Sequence, residues 1–158
     1  MREKTNIYFL AEITRGYGNG DCILLENIDS NGNITHALID TGRKINGGGV
    51  VSKFLKKHNV EKLSFLCITH THGDHNGDTI SVLNQYKVDL LIMKEFDNRW
   101  SSNDGTQIIY EDIILKAIEK DIKILGISFE SLGSDEYSPS QTDIFKNKIK
   151  NAKKEKFV

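Results

Sequence analysis

Apolar residues in the first third of the chain fall in short runs cut by glycine- and asparagine-rich turns, the pattern of β-strands. Residues 6–13 are apolar and rich in strand formers, residues 15–21 (RGYGNGD) form a glycine-rich turn, and residues 22–28 are a second apolar run. Residues 29–33 (DSNGN) hold the Asn-Gly pair favoured in tight hairpins. Residues 34–39 read as the returning strand, which ends at Asp40-Thr41-Gly42. The expectation is a hairpin with a third strand ahead of it.

Beyond residue 47 the period changes. Val50, Val51, Phe54 and Leu55 recur at helical spacing, with lysines on the other face. Residues 63–68 (LSFLCI) are a continuous apolar run, consistent with a buried strand. A polar loop at 69–78 follows, then an amphipathic helix at 79–86 with Ile80, Leu83 and Tyr86 inward. Next come a strand at 88–93, an irregular loop at 94–106 holding Trp100, a helix at 107–120 with Ile109, Ile113 and Ala117 on one side, and a strand at 122–127. The order predicts a mixed α/β fold in which helices cover one face of a sheet. Pro139, the single proline, lies in the polar run 133–142, which marks the expected end of the packed domain. The predicted division is a domain at 1–133 and a polar, lysine-rich tail at 134–158.

Composition changes this picture little. With 158 residues, 38% hydrophobic and 27% charged, the chain has the make-up of an ordinary globular domain with one core. Its apolar runs are too short to span a bilayer. Residues 1–4 lead straight into a strand-like pattern without the apolar stretch of a secretory signal, so a cytoplasmic placement is expected. Cys22 and Cys67 sit inside apolar strand-like runs and read as buried free thiols rather than a disulfide or thiolate ligand pair. The net charge of −1 hides an asymmetry, because residues 146–158 hold six lysines against one acid, Glu155. Such a segment can touch nucleic acid, though it is more often a solvated end.

The chemistry concentrates in residues 68–78, ITHTHGDHNGD. His70, His72, Asp74 and His75 follow an apolar strand with the spacing H-x-H-x-D-H. Neutral imidazole and carboxylate are good ligands for first-row transition metals, zinc above all, with manganese as a substitute. Alternate residues of an extended chain point to one side, so His70 and His72 can take one ion. Asp74 and His75, past Gly73, can face a second. Two ions about 3.5–4 Å apart suit metal-assisted hydrolysis. Gly73 and Gly77 leave the backbone room to bend.

This run resembles the defining motif of the metallo-β-lactamase superfamily. A second stretch fits the same family: a strand ending in an aspartate and then a glycine, here Ala37-Leu38-Ile39-Asp40-Thr41-Gly42, with Asp40 thirty residues ahead of His70. The resemblance implies that Asp40 supports the histidine loop by hydrogen bonds from behind the ligands. A third, Gly18-Asn19-Gly20-Asp21-Cys22-Ile23-Leu24-Leu25, is similar to a stretch in the domain attached to ComEC-type competence proteins and its free-standing relatives, which points to a nuclease or phosphodiesterase. The fold implied is an αββα sandwich, of which this chain is expected to carry the first half only: one sheet with its covering helices.

The family also uses later ligands, and here the match thins. No histidine follows His75. His36 and His58 precede the motif and read as non-ligands. Asp135 fits the family's bridging aspartate only loosely and reads as a loop residue. Four ligand residues shared by two ions leave two each, whereas catalytic zinc usually keeps three. Asp74 is the candidate general base. Three functions remain open: a zinc-dependent hydrolase of phosphodiesters or nucleic acid; a truncated or split fragment without activity alone, needing a complementing chain or a homo-oligomer; and a thioester, lactone or β-lactam hydrolase.

Overall fold

The computed structural model describes residues 2–10, 20–44, 50–70, 72–94 and 104–127. Trp100, Pro139, Asp135 and the basic tail lie outside the described residues. Six strands form one mixed sheet in the order β1 (Lys4–Phe9), β2 (Ile23–Ile28), β3 (Ile34–Ile39), β5 (Leu66–Ile68), β7 (Leu90–Lys94) and β8 (Lys123–Ile127). The first three are antiparallel neighbours, and from β3 onward every pairing is parallel. The described helices are α1 (Val50–Lys57), the single turn α2 (Gly73–Asn76), α3 (Thr79–Gln85) and α4 (Asp104–Glu119). Short strands β4 (Lys62–Leu63) and β6 (Lys87–Val88) pair separately.

The strand register explains the layering. Tyr8, Leu24, Leu38, Leu66, Leu91 and Ile124 stand in one row across all six strands. The four leucines of that row are fully buried. Val51 and Leu55 of α1, Val82 and Leu83 of α3, and Tyr110, Ile113, Ile114, Ala117 and Ile118 of α4 close over them. The adjacent residues form a second row on the opposite face: Phe9, Ile23, Ile39, Cys67, Ile92 and Leu125. That face is just as apolar but less covered by the described residues, with Phe9 at 74%, Ile7 at 56% and Leu125 at 49% exposure and Ile23, Ile39, Cys67 and Ile92 half-buried. The one-sided helical cover expected from the sequence is the arrangement found among the described residues, and none of their helices is long and apolar enough to cross a membrane.

Three expectations shift. The run 63–68 is not one strand, because Ser64 turns aside and gives both its backbone N–H and its hydroxyl to the His36 carbonyl. Residues 88–93 divide in the same way around Asp89, whose N–H bonds to Leu63 O. On α4 the buried stripe is Tyr110, Ile113, Ile114, Ala117 and Ile118, and Ile109 is 39% exposed rather than inward. The hairpin forms at the Asn31-Gly32 turn as expected, with Gly32 at φ 88°, and Asp29 reinforces it, its carboxylate accepting the Asn31 and Asn33 N–H groups and the Asn33 amide. These bonds, that of the Asn33 side chain foremost, hold the Asp29 carboxyl below its usual range.

Leu38→Ala is expected to destabilise the chain by about 2–5 kcal/mol in urea denaturation, because its side chain is sealed between sheet and helices. Phe9→Ser, on the open face, is expected to change stability by no more than about 0.5 kcal/mol.

Candidate metal centre

Strands β3 and β5 are parallel neighbours, paired through Ile39 and Cys67. Residues just past their carboxyl ends therefore meet, although 29 positions separate Asp40 from Thr69. Asp40 Oδ1 accepts the Thr69 N–H at 2.8 Å, and Oδ2 accepts the Thr69 hydroxyl at 2.6 Å and His75 Nδ1 at 2.9 Å. The Asp40 backbone is left-handed, with φ 55°. That conformation costs an aspartate on the order of 1 kcal/mol and turns the carboxylate back under the histidine loop.

The loop is not the open polar segment the sequence suggests, because Gly73–Asn76 close one helical turn. The turn is laced to two other segments by backbone bonds. Thr41 N–H reaches His75 O at 2.6 Å, Gly77 N–H reaches Gly42 O at 2.8 Å, Asp21 N–H reaches Asp74 O at 3.1 Å, and Gly42 N–H reaches Asp21 O at 2.8 Å. Glycine is needed where these segments touch. A Cβ on Gly77 would lie 2.2 Å from Lys44 N, and one on Gly20 would lie 2.8 Å from Asp74 O. At Gly73, in contrast, an added Cβ meets nothing within 4 Å, so the bending role expected there belongs to Gly77 alone.

His70, His72 and His75 come together above this base. The rings of His70 and His75 lie 3.8 Å apart between centroids, and those of His70 and His72 lie 4.8 Å apart. Asp74 Oδ2 stands 4.0 Å from His75 Nε2, on the ring edge opposite Asp40. His70 thus lies between the rings of His72 and His75, Asp74 stands beside His75, and Asp40 is behind His75. The donor set fits a divalent transition metal: imidazole nitrogens, a carboxylate, and a second carboxylate fixing one ring from behind. As they stand, no three His, Cys, Asp or Glu side chains among the described residues form a group that could hold a metal ion. Burial, and then the neighbouring His75 and His72, push the His70 pKa down and favour the neutral imidazole a metal requires.

Three residues without a role in the sequence reading also belong to the site. Thr41 is fully buried. Its hydroxyl contacts His75 O at 3.1 Å and Thr79 Oγ1 at 3.0 Å, and accepts the Asp78 N–H at 3.2 Å. Thr69 bonds Asp40 and lies 3.0 Å from His70 Nδ1. Asp21, the last residue of GNGD, brings its carboxylate within 3.8 Å of His75 Nδ1. The available signal was position: each lies inside or directly beside a motif. His36 pairs with Glu26, and His58 stacks on Phe54, both away from the cluster. Both cysteines are free. Cys22 is buried as expected, whereas Cys67 is only partly so because it sits on the open face. Burial raises both thiol pKa values, and Asp40 adds to the effect.

A family model of the metallo-beta-lactamase superfamily matches residues 15–140, and the chain belongs to that superfamily. A UPF0173 metal-dependent hydrolase of Paracoccus denitrificans (strain Pd 1222) is similar to it, 29% identical over 48 residues. That match takes in 30% of this chain and 21% of the relative, so it spans about a fifth of the relative's length.

Gly77→Ala is expected to destabilise by about 1–3 kcal/mol or more, because backbone must move to admit the methyl group. Gly73→Ala is expected to be neutral or stabilising, and thermal unfolding of the two variants compares them directly. The lowered His70 pKa also carries a sign. The unfolded chain takes up a proton at the ordinary value of 6.5 that the folded chain resists, so stability is present above that value and is lost as pH falls below it toward the lowered folded-state pKa. In metal-free protein a His70→Gln variant is expected to show a flatter loss of stability over that window.

Proposed function

We propose that the chain is a metal-dependent hydrolase in which His70, His72, Asp74 and His75 hold one or two zinc ions, or manganese in their place, and that its substrates are phosphodiesters, nucleic acid among them. The observation that carries this reading is the grouping of three imidazoles and Asp74 on one side of a carboxylate that already occupies the back of His75. A divalent ion at such a site supplies Lewis acidity toward a phosphoryl oxygen and toward water. The chain's own part is to present the three imidazoles and to hold the loop in place through the Thr41, Gly42 and Asp21 bonds. Asp74 remains about one-third exposed, within reach of solvent, and would orient the attacking water and take its proton. The relative's description as a metal-dependent hydrolase agrees with the reaction class. The diester preference rests on the resemblance of the GNGD segment, and the lysine-rich tail would favour a phosphate backbone.

The test is turnover of a generic bis-aryl phosphodiester by the purified chain loaded with zinc or manganese, with occupancy measured. Metal-dependent turnover that Asp74→Asn lowers about 10²–10⁴-fold is expected. No turnover at demonstrated occupancy rejects hydrolysis by the chain alone. Turnover of a thioester, lactone or β-lactam without the diester reassigns the substrate.

A second reading is favoured by one observation, the apolar open face bearing Phe9, Ile7 and Leu125. In it, a complementing chain or a second copy covers that face, and the assembly is the active form. Sedimentation of the chain across a concentration series reads a second copy directly.

A further inference from the structure

We infer that Thr69 is a positioning residue of the metal centre: its hydroxyl relays the Asp40 carboxylate to His70, so that one buried acid fixes the tautomers of two imidazoles. The inference rests on the metal-centre reading above and deepens it.

The hydroxyl has a single proton. It donates that proton to Asp40 Oδ2 at 2.6 Å, because a carboxylate can only accept. What remains on the oxygen is acceptor capacity, and His70 Nδ1 lies 3.0 Å away. With the hydroxyl proton committed, this contact is a hydrogen bond only when Nδ1 of His70 carries the hydrogen. Nε2 is then the ring nitrogen with the lone pair. The same carboxylate oxygen takes Nδ1–H of His75 at 2.9 Å, leaving that ring's Nε2 basic as well. Both rings are thereby set in the tautomer that ligates through Nε2. Asp40 reaches His75 directly and His70 through Thr69.

Two features hold the relay in place. The Thr69 N–H is bound to Asp40 Oδ1 at 2.8 Å, which orients the residue independently of its hydroxyl. Asp40 is 3% exposed, so its charge has little access to water and remains directed at these partners. Thr69 itself is exposed, so changing its side chain leaves the core intact.

Zinc affinity of the full chain, read by competition with a chromophoric chelator, and histidine ¹⁵N shifts of the metal-free chain at a pH where imidazoles are neutral test this together. Thr69→Val replaces the hydroxyl with a methyl group of similar size. It is expected to weaken zinc binding about 10–100-fold. It is also expected to move His70 from one tautomer to a mixture, while His75 keeps its tautomer and the metal-free thermal midpoint falls by only a few degrees, the cost of one hydrogen bond lost to the buried Asp40 carboxylate. Thr69→Ser keeps the hydroxyl and is expected to retain both the affinity and the tautomer. Wild-type affinity in the valine variant, an unmoved His70 tautomer, equal losses in the valine and serine variants, or a drop in the metal-free midpoint that accounts for the lost affinity would each overturn the relay. Failure of the wild-type chain to bind zinc would sink the metal-centre reading, whereas the ¹⁵N shifts of the metal-free chain still decide the relay on their own.

Discussion

The hydrogen bonds of one carboxylate tie the histidine loop to the sheet. Asp40 caps the end of β3, sits in a left-handed backbone conformation, and spends both oxygens on residues beyond the end of β5. A buried carboxylate without such partners would carry a heavy desolvation cost, so its satisfaction and the loop's position are one event. If the loop moves away, the charge is stranded; while the charge is satisfied, the loop is held. The backbone strain at Asp40 belongs to the same bargain, since the turn it imposes directs the side chain under the histidines.

The sheet makes that contact available. Parallel pairing of β3 with β5 brings two strand ends side by side, and α1 spans the crossover between them. The helices on one face seal the row from Leu24 to Leu91 and give the scaffold its stiffness. Polar residues buried near the site (Asp40, Thr41, Asn76, Asp78 and Thr79) cluster where the loop meets the sheet, while most other buried positions are apolar. Burial of polar groups in this chain is therefore concentrated where the loop has to be fixed.

The two faces of the sheet tell different stories. One is sealed at its centre, where Leu24, Leu38, Leu66 and Leu91 are fully buried, and the other presents a continuous apolar row that ends in the exposed Phe9 and Leu125. Water-facing sheets usually alternate apolar with polar residues; here both sides of β5 and β7 are apolar, the composition of strands meant for cover on two faces. Cys67 lies in the open row, which is why it is less buried than a run of apolar neighbours suggests.

Much of this protein was legible along the chain. The strand and helix periods and the cover of one face by helices follow from local spacing, as does the neighbouring of the His70 and His72 rings, because period and side-chain direction are properties of short segments. Asp40 was readable as a support residue only through its family resemblance. Other features were decided in three dimensions. The break at Ser64 depends on a carbonyl 28 residues away. The roles of Thr41, Thr69 and Asp21 depend on which strand ends become neighbours, and the contrast between Gly77 and Gly73 depends on which backbone passes close by. Local sequence fixes what each residue can donate, accept or bury. The parallel pairing of distant strands chooses the partner it meets.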